Sequence, residues 1–315
     1  MKINNIIGFA GSVILALLIS IWMPVIGPFF SLIIPLPFIF YISKLGLREG
    51  LKIGFITLLI VGLLGILLGQ PFLFLLCLEF GIIGLIISGL FKRQVHIGAA
   101  VFWGTAYTLF MGAIFLFLVG LSKGEGPVDM ILGYFQSNLT RTVDIYKEMG
   151  LDKEKLDQIK QAVDLLSKVI TRIYPAIIII GTGIVIWINI VLSKPLFRKG
   201  SLPCPDLGET DRWHAPEFMV WGVIGAGFAL FLQGTGIKFV AENVLSVLSV
   251  IYIFHGLSIM LFFFNKHGMP RWARLSIYAM IMVQLIFFVL LAMAGLFDQW
   301  VDFRRLHKKT DPEAA

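Results

Sequence analysis

Glu79 is the ionisable side chain that most needs a reason. It falls inside the apolar stretch 71–91, with eight residues of that stretch before it and twelve after. A carboxylate at that depth in a bilayer is costly unless it is protonated, paired or hydrated. The chemistry such a group performs is cation or proton handling, or contact with a polar ligand. The competing reading is a protonated carboxyl held in a structural hydrogen bond. His255, in the apolar stretch 240–264, is the partner the composition offers, and Gln233, Asn243, Gln284 and Asn189 are further candidates to line a cavity. No spacing brings these residues together, and a lone membrane histidine serves helix packing as readily as it serves a ligand.

A second pattern concerns packing. Small residues recur at every fourth position of the first apolar stretch, at Gly8, Ser12, Ala16 and Ser20, and again at Gly46, Gly50 and Gly54. Fourfold spacing puts them on one helix face and lets another helix approach closely. The face serves either packing within the chain or docking of a partner membrane protein. Other chemistry is missing. There is no Gly-x-x-x-x-Gly-Lys-Ser/Thr loop, no His-Glu-x-x-His pair and no serine nucleophile elbow, so no catalytic residue, metal site or cofactor is expected. Cys77 lies in an apolar run and Cys204 in a Pro-rich loop, which supports neither a disulfide framework nor a metal box.

The elements that must position these residues follow from composition. The 315 residues are 58% hydrophobic and 14% charged, with a mean hydropathy of +0.90. Soluble domains are about 45–50% apolar and about 25% charged, so a soluble enzyme is excluded. The net charge of +7 fits basic membrane-flanking loops and needs no nucleic-acid partner. The charge is also localised, because 16 of the 45 Lys, Arg, Asp and Glu residues fall between Ser122 and Arg172.

A membrane span takes about 20 apolar residues. Stretches of that kind occur at 6–23, 25–42, 51–68, 71–91, 97–121, 173–193, 216–233, 240–264 and 271–296. Pro24, Pro28, Pro35 and Pro37 interrupt the second, which predicts a broken or re-entrant helix packed against protein, since lipid cannot replace a lost backbone donor. The fold expected is all-α, a polytopic bundle of eight or nine spans. Lys and Arg gather at 44–52, 92–93, 194–212 and 266–274 and are sparse in the intervening turns, which places the N-terminus in the cytoplasm. Arg304, Arg305, Lys308 and Lys309 read as a basic tail near lipid headgroups.

The polar insert carries eight basic and eight acidic residues. Leu156, Ile159, Val163, Leu166, Ile170 and Ile173 form an amphipathic stripe running into the next span, and Val128, Leu132, Phe135, Leu139 and Tyr146 form a weaker one. Gly150 separates them, so a helical hairpin or two interfacial helices on the extracytoplasmic side are expected. The chain thus divides into an N-terminal membrane part (1–121), the insert (122–172), a C-terminal membrane part (173–297) and the tail (298–315).

Three stretches carry a family likeness: the run Trp213 to Trp221, the run Phe264 to Trp272 with Asn265-Lys266-His267-Gly268 inside it, and Gly295-Leu296-Phe297-Asp298 followed by Asp302-Phe303-Arg304-Arg305. Together they resemble the YybS-like family of bacterial multi-pass membrane proteins, a family of unknown function, and the resemblance covers most of the chain. It implies residence in the bacterial cytoplasmic membrane. A more distant likeness, resting on the small-residue stripe, Pro35-Leu36-Pro37 and Gly46, Gly50 and Gly54, is to the substrate-binding S components of energy-coupling-factor vitamin transporters. That likeness implies a solute-binding core whose first helix docks on a membrane coupling subunit. The expected partners are therefore the lipid bilayer, a small-molecule solute and another integral membrane protein. Two functions stay open: small-molecule binding or transport without an ATPase of its own, and a scaffold or assembly factor that recruits partners.

Overall fold

The computed structural model describes residues 3–23, 27–70, 72–150, 152–202 and 208–304. It is all-helical, with no strand among them. In chain order the helices are α1 (Ile3–Trp22), α2 (Gly27–Ser31), α3 (Pro35–Leu45), α4 (Leu47–Leu67), α5 (Phe72–Lys92), α6 (Ile97–Lys123), α7 (Pro127–Glu148), α8 (Lys153–Lys199), α9 (Met219–Ala229), α10 (Thr235–Lys266), α11 (Arg271–Val283) and α12 (Leu285–Val301). Pro24, Cys204 and the basic positions Arg305, Lys308 and Lys309 lie outside the described residues.

Six of these helices (α1, α4, α5, α6, α8 and α10) are long and apolar enough to cross a membrane, and a seventh span results if α11 and α12 count as one. The expectation of eight or nine is not reached, for three local reasons. The 25–42 stretch forms two short helices, broken where Pro35 starts α3; proline suits a first helical position but cannot continue a helix already running. The 216–233 stretch yields only the 11 residues of α9. The 271–296 stretch turns through 107° at Gln284.

The chain divides into two compact units, one holding 1–130 and 181–207, the other 131–180 and 208–315. This differs from the four-part division read from composition, because a contiguous sequence segment is shared between units within α8. The first unit is built on α1, α3, α4 and α5, with Phe9, Val13, Phe38, Ile42, Ile53 and Cys77 in its core. A second cluster there joins Ile83 and Ile87 of α5 to Ile186 and Ile190 of α8. Gly46, at φ +82, turns α3 into α4, and a side chain at Gly50 would come within 2.8 Å of the Ile42 Cα. The first unit also shows how the proline break is tolerated. Asn189 Nδ2 of α8 donates to the Leu32 carbonyl at 2.7 Å, in the turn between α2 and α3. A freed carbonyl that lipid cannot satisfy is thus served by protein, as the broken-helix expectation requires.

In the second unit, α7 and the N-terminal part of α8 form the expected hairpin. Gly150 has φ +72 at the turn, and Ser167 Oγ donates to Gln136 Oε1 at 2.8 Å between the two helices. Leu132, Phe135, Leu139, Leu156, Ile159, Val163 and Ile170 are half-buried, whereas Val128, Tyr146 and Leu166 of the same stripes are exposed. Below the hairpin, α8 bends at Ile173, where φ −119 and ψ 17 leave the helical region. The remaining core of this unit gathers Ala215, Val220, Leu248 and Tyr252.

Candidate functional site

The residues proposed to line one cavity occupy different settings. Glu79 lies midway along α5 with its side chain exposed, and it has no hydrogen-bond or ion-pair partner among the described residues. It does not line a closed interior. Gln233 and Gln284 are exposed, the first in the turn before α10 and the second at the α11–α12 break.

Asn243 is buried and serves the backbone. In an unbroken helix the Ala176 N–H would donate to the Arg172 carbonyl, four residues back. Here Asn243 Oδ1 accepts from Ala176 N at 2.8 Å, and Asn243 Nδ2 donates to the Arg172 carbonyl at 2.9 Å. The side-chain amide is inserted into the α8 ladder at the Ile173 bend and satisfies both groups that the bend frees. The kink has a local cause in Pro175, which has no N–H for the Thr171 carbonyl and crowds that turn, and the inserted amide holds the opened turn. Beside it, Arg172 Nε donates to Glu242 Oε2 at 3.0 Å and Nη2 to Oε1, a bidentate pair across the same junction. Glu242, read from sequence as a carboxylate near a helix N-terminus, is thus also an ion-pair partner.

His255 belongs to the densest polar cluster of the second unit, and its partners are Asp298 and Arg304, not the Glu79 expected from sequence. The Arg304 Nη2 atom is 2.9 Å from both Asp298 Oδ2 and His255 Nε2, and His255 Nε2 is 3.1 Å from Asp298 Oδ2. Arg304 Nη1 donates to Ser258 Oγ and to the carbonyls of Trp213 and Asp211, at 3.0 to 3.1 Å. Ser258 Oγ in turn donates to the Trp213 carbonyl at 2.7 Å. Asp298 Oδ1 accepts from Phe303 N at 2.8 Å, after the chain reverses at Asp302 in the left-handed region, φ 46.

His255 is 1%, Arg304 6% and Asp298 7% exposed. The Arg304 guanidinium and the Asp298 carboxylate offset each other's charge inside the cluster, while Arg304 Nε and His255 Nδ1 are buried without a hydrogen-bond partner among the described residues. The imidazole tautomer decides whether Nε2 accepts from Arg304 or donates to Asp298. Nothing in this arrangement presents an activated nucleophile, and no group of three metal-ligating side chains occurs among the described residues. What the cluster does is close the end of α12 onto α10 and onto the 211–213 segment. Arg304, expected at the headgroups with the rest of the basic tail, is instead buried in protein.

The backbone contact between those two helices is equally close. A Cβ on Gly256 of α10 would overlap the Leu291 carbonyl, and one on Gly295 of α12 the Tyr252 carbonyl. Sequence reasoning passed over Asp298, Ser258 and Arg304 as a site. The signal available was Asp298, the lone charged residue between Leu285 and Val301.

Gly8 of the α1 stripe faces protein. A side chain at Gly8 would overlap the Tyr41 hydroxyl, and one at Gly54 of α4 would sit 3.9 to 4.0 Å from Phe38 and Phe9. Ser12 and Ser20 donate to the Phe9 and Ala16 carbonyls of their own helix, both at 2.8 Å. Ser12, Ala16 and Ser20 are half-buried.

A bundle of long apolar helices, with broken backbones served by buried asparagines and an ion pair sealed in protein, defines a polytopic α-helical membrane protein. The chain belongs to the family described as predicted membrane protein (DUF2232), whose profile matches residues 11–299. It is 22% identical over 291 residues to the uncharacterised protein YybS of Bacillus subtilis (strain 168), covering 91% of this chain and 92% of that relative. No solved structure matches it.

Proposed function

We propose that the protein is a small-molecule binding or transport-related component of the bacterial cytoplasmic membrane, without an ATPase of its own, and that Glu79 is its polar contact. The observation that supports this is the state of Glu79: a carboxylate at the middle of a 21-residue apolar helix, exposed and without a partner among the described residues. Hydrocarbon cannot solvate it, so it calls for a proton, a cation or a cationic group of a solute. The basic loops support an N-terminus on the cytoplasmic side.

A hydrophobic carbodiimide, which modifies protonated carboxyls within membranes, tests this on the reconstituted protein. Glu79 is expected to react, Glu79→Gln to abolish the reaction, and Na+ or methylammonium to slow it. The reading fails if neither cation changes the rate and Glu79→Leu leaves uptake of both unaltered in a stably folded protein.

A second reading, recruitment of partner proteins, draws on the hairpin. No residue of α7 is buried, and Tyr134, Tyr146 and Met149 together with Leu165, Leu166 and Val169 are exposed. Crosslinking from Ser12 or Ser20 and from Leu166 separates the two faces: capture at Leu166 alone assigns recruitment to the hairpin, and capture at α1 assigns it to the small-residue stripe.

A further inference from the structure

We propose that α11 lies in the membrane surface, with an apolar stripe in the acyl boundary and two basic residues against anionic headgroups, and that it is not the first half of a membrane span. The backbone at Gln284 carries most of the argument. Gln284 has φ −120 and ψ 116, which interrupts the helix, and Val283, Gln284 and Leu285 are all exposed. Lipid-exposed irregular backbone does not occur within hydrocarbon, because its freed N–H and C=O groups have nothing to bond. The bend at Ile173 is served by Asn243. At the Gln284 break the Gln284 N–H still reaches the Met280 carbonyl and its carbonyl accepts from Phe287 N, both at 3.2 Å, but among the described residues no side chain serves the first amides of α12. Water and headgroups must do so, which sets the break at the polar boundary.

The geometry on either side agrees. Tyr252 meets Gly295 and Gly256 meets Leu291, so α12 runs antiparallel to the membrane-crossing α10. The 107° bend then leaves α11 nearly perpendicular to α12. With 13 residues α11 is only about 20 Å long, too short for a core of about 30 Å.

Its faces are those of a surface helix. Arg274, Ile277, Tyr278 and Ile281 turn inward. Arg274 fastens the helix start to the end of α10, donating to the Phe264 and Met269 carbonyls and to Asn265 Oδ1 at 2.8 to 3.1 Å. Outward face Trp272, Leu275, Ala279 and Met282, at spacings of three and four, with Trp272 74% and Leu275 70% exposed. Arg271 and Lys266, both exposed, flank this stripe without an ion-pair partner among the described residues. An apolar stripe bordered by cations is the pattern of helices that bind anionic membrane surfaces.

Spin labels on single cysteines test this in the full-length protein lacking Cys77 and Cys204, reconstituted in vesicles of phosphatidylcholine with and without phosphatidylglycerol. Labels on Trp272→Cys, Leu275→Cys, Ala279→Cys and Met282→Cys are expected at one shallow depth, read from relaxation by oxygen against a water-soluble nickel complex. Depth rising steadily from 272 to 282 would mean a span, and uniform access to nickel would mean a helix clear of the bilayer; either overturns the proposal. The double charge reversal Lys266→Glu, Arg271→Glu is expected to raise nickel access at the Ala279→Cys label at least twofold when phosphatidylglycerol is present. An equal change in both lipids would overturn the anionic-headgroup part. The Ala279→Cys variant is the smallest of the four changes and preserves a depth reading if the larger ones fail to fold.

Discussion

Asn243 holds the Ala176 amide proton that α8 would otherwise give to Arg172, and it returns a proton to the Arg172 carbonyl in exchange. Pro175, inside α8, cannot donate to the Thr171 carbonyl and opens the helix at Ile173, and one buried side chain on α10 serves the two backbone groups beside it. Asn243→Leu leaves a buried N–H and a buried C=O unserved, each costing about 1–3 kcal/mol. The expected result is a loss of stability of about 2 kcal/mol or more in detergent-solubilised protein, with faster amide exchange around 172–176. Glu242→Gln is expected to cost less than about 1 kcal/mol, because the Arg172 side chain of that pair is 62% exposed. Equal losses for the two variants would move the credit from the inserted amide to the ion pair.

The Asp298–Arg304 pair predicts a sharper asymmetry. Removing one partner strands a buried charge, at about 3–5 kcal/mol, whereas removing both with apolar groups of similar size is far milder. Asp298→Leu or Arg304→Met alone should unfold the protein at markedly lower temperature, and the double variant should recover most of the loss. A double-mutant cycle in thermal unfolding measures this. Additive losses would show that the two residues act independently.

The sequence displayed apolarity and periodicity far better than it displayed bends. Six spans were visible as long apolar runs. The Pro-rich break in 25–42 was visible because proline names its own constraint. The turn at Gln284 was not, since a hydropathy window across 271–296 sums over a right-angle bend without registering it. The Ile173 bend coincides with the boundary drawn at 172 from charge alone. Pro175 marked the break itself, but the group that serves it was hidden, because Asn243 is 67 residues from Ala176 in sequence. Asn243 and His255 stand out in the sequence as polar groups in apolar helices, but the α8 backbone and the Asp298–Arg304 pair that they meet lie far from them in the chain. Polar residues in lipid advertise that they need something; which group answers is a matter of tertiary placement.

Close helix contact makes the glycines of α10 and α12 specific. Gly256→Ala and Gly295→Ala each push a methyl group into a carbonyl of the facing helix, where backbone must yield. Overpacking of this kind costs about 1–3 kcal/mol. Gly225→Ala, where a Cβ meets nothing within 4 Å in α9, is expected to be neutral or to stabilise by up to about 1 kcal/mol through helix propensity. Thermal unfolding of the three variants checks this, and a stable Gly256→Ala protein would mean that α10 and α12 lie farther apart than described.

The small-residue stripe gives the last contrast, because the groups facing it differ in how easily they move. A methyl at Gly8 meets the hydroxyl end of Tyr41, which swings away about a flexible side chain, whereas a methyl at Gly50 meets the Ile42 Cα. Gly8→Ala should therefore cost less than about 1 kcal/mol, and Gly50→Ala about 1–3 kcal/mol, the range for forced backbone shifts. Ser12→Ala removes only a hydroxyl that bonds the Phe9 carbonyl of its own helix, and should leave stability within about 0.5 kcal/mol. If instead Gly8→Ala left the isolated protein intact but abolished capture of a partner crosslinked from Ser12, α1 would be a docking face in the cell and its inward contacts only part of its role.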